Sequence, residues 1–204
     1  METALRRKNI TLYDINQDML NAAEEKYFNV IRGRSGESID CEDNSFDWAI
    51  SVHTLEHIDK HEREKILLEM IRISKEGIYL NFPAGLYAEK LCMNYIKALK
   101  KYNKELNHWT LDHIEKGLPD ENELRKILSK QSKFTYELVA VRNFKSENYY
   151  WQKITAPNSF IIFYILSPIN SIVKYLNFRK CPGVELLLIA SKSAELNQKI
   201  LKNI

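Results

Sequence analysis

The stretch Asp40–Ile58, DCEDNSFDWAISVHTLEHI, constrains this chain more than any other. An acidic turn, Asp40 to Ser45, leads into an unbroken apolar run, Phe46 to Val52. That run ends in the polar turn His53-Thr54-Leu55-Glu56-His57. A continuous apolar run between turn signals predicts a parallel strand covered on both faces. In an open α/β sheet, ligands sit just beyond the carboxyl ends of such strands. His53 to His57 takes that place, so the search for a site starts there.

The flanking segments alternate at short intervals. Ile10 to Asp14 (ITLYD) predicts a short strand closing on an acid, after a helix tail over Met1 to Asn9. Asp18 to Phe28 predicts a helix, because Met19, Leu20, Ala23 and Tyr27 recur at helical spacing. Asn29 to Arg32 reads as a second strand and Gly33 to Asn44 as a loop. His61 to Ser74 carries Ile66, Leu67, Met70, Ile71 and Ile73 on one side of an amphipathic helix. Gly77 to Phe82 is another apolar strand, stopped by Pro83. This alternation is the pattern of βαβ units and a parallel sheet.

The pattern then changes. Ala84 to Ser132 is mostly helical, with a turn at Lys116-Gly117-Leu118-Pro119. Tyr136 to Phe144 and Val184 to Ser191 read as strands, separated by a long aromatic-rich insertion, Lys145 to Pro182. Strands joined without a covering crossover pair antiparallel at a sheet edge. Glu195 to Ile204 reads as a trailing, partly frayed helix. The expectation is one α/β domain over residues 1–204, with helical cover segments at 84–135 and 145–182.

Composition narrows the function classes. The 204 residues suffice for one domain with a real core. A net charge of +3, with both signs spread along the chain, argues against nucleic acid. Cys41, Cys92 and Cys181 are odd in number, widely spaced and form no C-x-x-C, as in a reducing compartment. No apolar leader is evident, and Pro168, Asn170 and Lys174 interrupt the apolar run Ser159 to Leu176. The chain is therefore expected in the cytoplasm without a transmembrane segment. The aromatic, mildly basic stretch Asn148 to Lys174 reads better as an extra helical layer than as a membrane-surface contact.

Several stretches together resemble the class I S-adenosylmethionine-dependent methyltransferases, of the type 11 kind. ITLYDIN followed by QDMLNAAEE is similar to the second strand and helix of that family. DNSFD, with Asp43, Ser45, Phe46 and Asp47, and the following Leu55, Glu56, His57 and Ile58 resemble its fourth strand and turn. LLEMIRISKEG into IYLNFP, HWTLDHIEKGLPDENEL and VELLLIASK resemble later elements. The resemblance spans Asn9 to Lys192. It implies a Rossmann-like sheet, mostly parallel with an antiparallel carboxyl-terminal edge hairpin. It also implies the cofactor S-adenosylmethionine and a small-molecule or sugar-like acceptor.

On that resemblance Asp14, with Ile15, is the ribose side of the cofactor site. A carboxylate at a strand's carboxyl end is a good acceptor for a diol, and Asp14 equally suits the start of the next helix. Glu37 and Ser38 fall on the adenine side. His53 and Leu55 line the cofactor pocket, where a loop histidine bonded to backbone is the alternative.

The family's glycine-rich turn, G-x-G-x-G, has no counterpart. The glycines are Gly33, Gly36, Gly77, Gly85, Gly117 and Gly183, and none precedes Asp14. Cofactor binding is compromised if that turn is truly missing. The fold is expected to be truncated at its amino-terminal end, by a shortened chain or by degeneration. The second function class follows: a non-catalytic relic of the fold acting as a binding or scaffolding module, with a homodimer partner covering the missing strand's place.

Three histidines are candidates for proton transfer: His57, His108 and His113. Trp109 shares a helix face with Asp112 or His113, in the segment the resemblance assigns to substrate cover. His57, Asp59 and His61 alternate like metal ligands, but no second cluster in the sequence completes them, so no metal is expected.

Overall fold

A computed structural model describes residues 9–34, 38–155 and 183–203. The expected helix tail before Asn9, Glu37, Cys181 and most of the 145–182 segment lie outside these residues. The chain divides into two compact units, Met1–Ser45 and Phe46–Ile204.

The first unit contains strand β1 (Thr11–Asp14), helix α1 (Gln17–Glu24) and strand β2 (Asn29–Arg32). The strands run parallel, with Thr11 opposite Asn29 and Asp14 opposite Arg32. Asn16 starts α1: its side-chain oxygen accepts from the backbone N–H groups of Asp18 and Met19, two donors with no partner in the helix. The helix stops at Glu24, short of the expected Phe28, because the chain turns left-handed at Tyr27 (φ 68°). Arg32 closes the βαβ unit by a forked bond to Glu24 and a bond to Asn21.

The second unit follows the order β3 (Phe46–Val52), a 3-10 turn (Leu55–His57), α2 (Arg63–Ile73), β4 (Ser74–Pro83), α3 (Gly85–Lys101), α4 (His108–Glu115), α5 (Glu121–Ser129), β5 (Thr135–Asn143), α6 (Phe144–Thr155), β6 (Gly183–Ser191) and α7 (Ala194–Lys202). Its four strands lie in the order β3-β4-β6-β5. β3 pairs parallel to β4, while β6 pairs antiparallel to both β4 and β5. The expected α/β fold with an antiparallel hairpin of the last two strands is therefore present. No helix among the described residues is long and apolar enough to cross a membrane.

Two expectations need correction. Phe46–Val52 is a strand with the expected bounds, but it is not covered on both faces. Among the described residues it pairs only with β4, and Ile50 and Val52 are 69% and 52% exposed. The strand buried throughout is β6, where Val184 to Ser191 are all buried. Having a hydrogen-bonded neighbour on each side and apolar cover on both faces, β6 is the middle of the core. Leu186, Leu188 and Ala190 join Leu67, Met70, Ile78, Leu124 and Leu128 on one face. Leu187 and Ile189 meet Val141, Tyr79, Ile200 and Leu201 on the other. This split follows from the two-residue period of a strand.

The second correction concerns the carboxyl-terminal helix, which is anchored. Ser193 caps α7 through Leu196 N–H. The buried Asn197 donates Nδ2 to the Thr135 carbonyl at 3.0 Å. Phe144, expected as the last residue of a strand, instead begins α6.

Burial sets the test of this arrangement. Leu188→Ala should lower the unfolding free energy by ~2–5 kcal/mol, as for other large-to-small core changes. Ile50→Ser, on the open edge, should change it by no more than ~0.5 kcal/mol. Urea unfolding of both variants decides between a buried and an open β3.

Candidate functional site

The sheet's carboxyl-end turn is built around a buried cation. Arg63, 5% exposed, enters from the first turn of α2. Its Nε donates to the Leu55 and Ile58 carbonyls at 3.1 and 3.0 Å. Its Nη2 donates to the Lys116 carbonyl at 3.1 Å and to that of Gly117. The guanidinium fork thus ties the turn after β3 to the end of α4. Lys116 Nζ adds a bond to the His57 carbonyl at 2.7 Å.

These ties bring two histidines together. His57 Nδ1 lies 3.0 Å from Asp112 Oδ2, and its ring stacks on that of His113 with centroids 5.3 Å apart. Trp109 packs its edge against His57 at 4.7 Å. Both histidines line a cavity of about 400 Å³, with Leu91, Tyr95, Trp109 and Trp151 on its apolar wall. This volume is in the range of small-molecule pockets. His108 stacks on Trp109 at 4.2 Å but is exposed and does not line the cavity.

The polar wall joins His53 and Glu56 of the turn after β3 to Arg142 and Glu185, which the sequence pattern does not single out. Glu56 is 1% exposed, and His53 Nδ1 lies 3.2 Å from its Oε1. His53 Nε2 lies 3.5 Å from Glu185 Oε1, which Arg142 Nη1 meets at 2.7 Å. The hydrogen bond to Glu56 raises the His53 pKa, helped by the charges of Glu185 and Glu56 and opposed by burial and by Arg142. Burial pushes the Glu185 carboxyl up, against the charges of Arg142 and His53. Burial and then the His57 charge push the His113 imidazole down. Cys92, also on the wall, has its thiol pushed up by burial, which keeps it protonated and poorly nucleophilic.

The residues expected to bind the cofactor fall in both units. Asp14 stands half-buried at the carboxyl end of β1, and its Oδ1 accepts from Asn16 N–H at 2.9 Å. A carboxylate so placed fits a ribose diol with its other oxygen. Ile15 and Ser38 are exposed. His53 adopts a left-handed backbone (φ 52°) at the end of β3. Leu55 points into the core, 2% exposed.

The grouping of donors also differs from the sequence reading. Asp59 and His61 do not join His57. Glu56, His57 and His113 do, each offering one donor atom within 4.8 Å of the others. His113 lies 56 residues beyond His57, too far for spacing to signal it. The signal that existed was HWTLDHI, whose helical period places Trp109, Asp112 and His113 on one face.

Comparison with known proteins finds likeness over part of the sequence and in the fold. Residues 1–82 match the family model described as a methyltransferase domain. No curated protein sequence matches the chain. Among solved structures, a SAM-dependent methyltransferase from Archaeoglobus fulgidus is 19% identical, with a TM-score of 0.46 over 90% of this chain and 75% of that one. The plantazolicin methyltransferase BpumL, solved with SAH and a triazolic desmethylPZN analog, is 11% identical, with a TM-score of 0.50 over 90% of this chain and 67% of that one. A Rhodobacter sphaeroides structure described among zinc-dependent alcohol dehydrogenases is 12% identical, with a TM-score of 0.52 over 94% and 78%. Likeness at these identities carries the fold and not the reaction.

Two outcomes follow from the geometry. Arg63→Met should destabilise the chain by ~3 kcal/mol or more in urea unfolding, because it leaves several buried carbonyls without a donor. Arg63→Lys should not restore the loss, since one ammonium cannot span both segments. The second outcome concerns pH. A raised Glu185 pKa means that the native state holds this proton more firmly than the unfolded chain. The stability it contributes is full below the unfolded carboxylate range and is lost as pH rises through the native value. Arg142 limits the rise, so Arg142→Ala should make the melting temperature fall more steeply from the carboxylate range toward neutrality. Glu185→Gln should flatten that slope, leaving the part due to His53, which has the same sign. Thermal melts across a pH series read both.

Proposed function

We propose that this chain, which has the fold of the class I S-adenosylmethionine-dependent methyltransferases and matches the methyltransferase-domain family over its first 82 residues, transfers a methyl group to a small-molecule or sugar-like acceptor. The observation that carries the acceptor half is the cavity of the second unit. It is apolar on one wall, and on the other it presents His57 and His113 beside the buried Glu56. S-adenosylmethionine, when bound, supplies a methyl group on a sulfonium whose departing sulfur is neutral. The protein's part is then mainly to hold the two partners in line.

The chain's own residues take the following roles in this reading. Asp14, at the carboxyl end of β1, holds the ribose, and Leu55, buried in the core, is assigned no role. Trp109, Trp151 and Tyr95 hold the acceptor by apolar contact. Asp112, on His57 Nδ1, fixes the tautomer that leaves Nε2 with a lone pair. His57 Nε2 is therefore the atom that takes a proton from an unactivated hydroxyl or amine. His113 stands beside it, its lowered pKa favouring the neutral ring. His108, outside the cavity, is assigned no role.

Titration calorimetry tests the cofactor half. S-adenosylhomocysteine should bind, and Asp14→Ala should weaken it tenfold or more. No binding by the wild-type chain would sink the methyl-transfer reading and leave the non-catalytic module. The acceptor half is read by methyl transfer to a panel of small hydroxyl and amine compounds. There Asp112→Asn should lower kcat by ~10²-fold or more, the range typical of general-base loss, with little change in KM.

A further inference from the structure

We propose that Glu56, His57 and His113 form a binding site for a divalent transition cation of the zinc class, opening onto the cavity. The first observation is Glu56 itself. Its Oε1 is met by His53, while Oε2 is buried with no hydrogen-bond partner among the described residues. A carboxylate oxygen removed from water without a donor is costly, and a cation supplies what the fold does not. The second observation is convergence. One donor atom from each of Glu56, His57 and His113 lies within 4.8 Å of the others, and all three residues line the cavity.

The third observation is the support behind His57. Its Nδ1 is held by Asp112 at 3.0 Å, and Asp112 Oδ1 lies 3.6 Å from Lys116 Nζ. A ligating histidine characteristically gives its other ring N–H to a carboxylate, which orients the ring and strengthens the donor. Here that carboxylate is already in place, and Arg63 fixes the two segments that carry the histidines. Trp109 shields His57 from one side.

The donor set selects the ion. Two imidazoles and one carboxylate suit zinc and its first-row neighbours, whereas magnesium and calcium favour oxygen ligands throughout. Three protein ligands leave at least one position open, as in zinc sites that do chemistry. Donors around a tetrahedral zinc ion at ~2.0–2.1 Å stand about 3.3 Å apart, so the three must close by ~1.5 Å at most. Rotations of the His113 and Glu56 side chains within the cavity provide that movement.

A bound ion would use the His57 lone pair. Its charge, and not His57, would then raise the acidity of an acceptor hydroxyl. That consequence rests on the methyl-transfer reading; binding of the ion does not.

The test uses the full chain after chelator treatment and gel filtration. Zn²⁺ is titrated calorimetrically, and Co²⁺ is followed by its visible ligand-field absorption. One ion should bind per chain, with a Co²⁺ spectrum of nitrogen and oxygen ligation at low coordination number. His113→Ala and the near-isosteric Glu56→Gln should each weaken binding tenfold or more while circular dichroism stays unchanged. Asp112→Asn should weaken it ~10–100-fold. His61→Ala, exposed and outside the cluster, should leave it unchanged. Absence of binding overturns the proposal. So does binding that survives both Glu56→Gln and His113→Ala, or binding that His61→Ala abolishes, which would mark an adventitious ion only. Ion binding in a chain that takes no S-adenosylhomocysteine would defeat the methyl-transfer reading and leave this site standing.

Discussion

The buried guanidinium of Arg63 is the constraint on which the site depends. It joins the carbonyls of Leu55 and Ile58 to those of Lys116 and Gly117. A helix or turn end leaves carbonyls that must be bonded somewhere. Here two such ends, more than 50 residues apart in sequence, share one planar donor group. Without that sharing, the placement of His57 against the Asp112–His113 pair would rest on the Lys116 and Asp112 bonds to His57 and on ring contacts. An arginine suits this use because its five donors are rigidly forked and it stays charged even when partly dehydrated.

Local pattern made much of the fold legible. The Phe46–Val52 strand, the amphipathic helix after it and the final strand all declare themselves by apolar period, and their observed bounds differ from expectation by a few residues at most. What the period does not encode is the neighbour. FDWAISV and VELLLIAS read alike as largely apolar runs with one acid at the second position, yet among the described residues one is an edge strand and the other the centre of the core. Strand order decides which is which, and strand order is long-range information. The anchor of the carboxyl-terminal helix is long-range in the same way. Asn197 bonds a residue 62 positions earlier.

The site was half legible. His57 and His113 stood out as titratable residues in plausible places, and they do meet. His108 stood out equally and faces away. The polar residues that complete the wall, Glu185 and Arg142, lie in strands where a lone charge reads as a solvated position. Arg142 takes a left-handed backbone (φ 58°) between the Val141–Glu185 and Asn143–Gly183 pairs of β5 and β6. Arg63 is one charge among several in its stretch of sequence, and only the carbonyls around it make it structural. Short strings such as DNSFD and LEHI carry the methyltransferase-like signal, and they lie within the residues that match the methyltransferase-domain model.

The charges on the cavity wall explain one another. Of the buried carboxylates on the cavity wall, Glu185 is met by the permanent charge of Arg142 at 2.7 Å, and Glu56 by His53 at 3.2 Å. Dehydration makes two like charges at this spacing unfavourable unless a second positive charge is gained or a proton is kept. The fold answers by placing His53 between them, bonded to one carboxylate and near the other. Its pKa is raised by the very groups it neutralises, while Glu185 holds its own proton more firmly than a free carboxyl would. This pairing uses Oε1 of Glu56 and both nitrogens of His53, and leaves the buried Oε2 of Glu56 without a hydrogen-bond partner among the described residues, in a residue grouped with His57 and His113. The wall therefore stays electrostatically incomplete on the side that opens to the cavity, and a positively charged or proton-bearing group is what that side is built to receive.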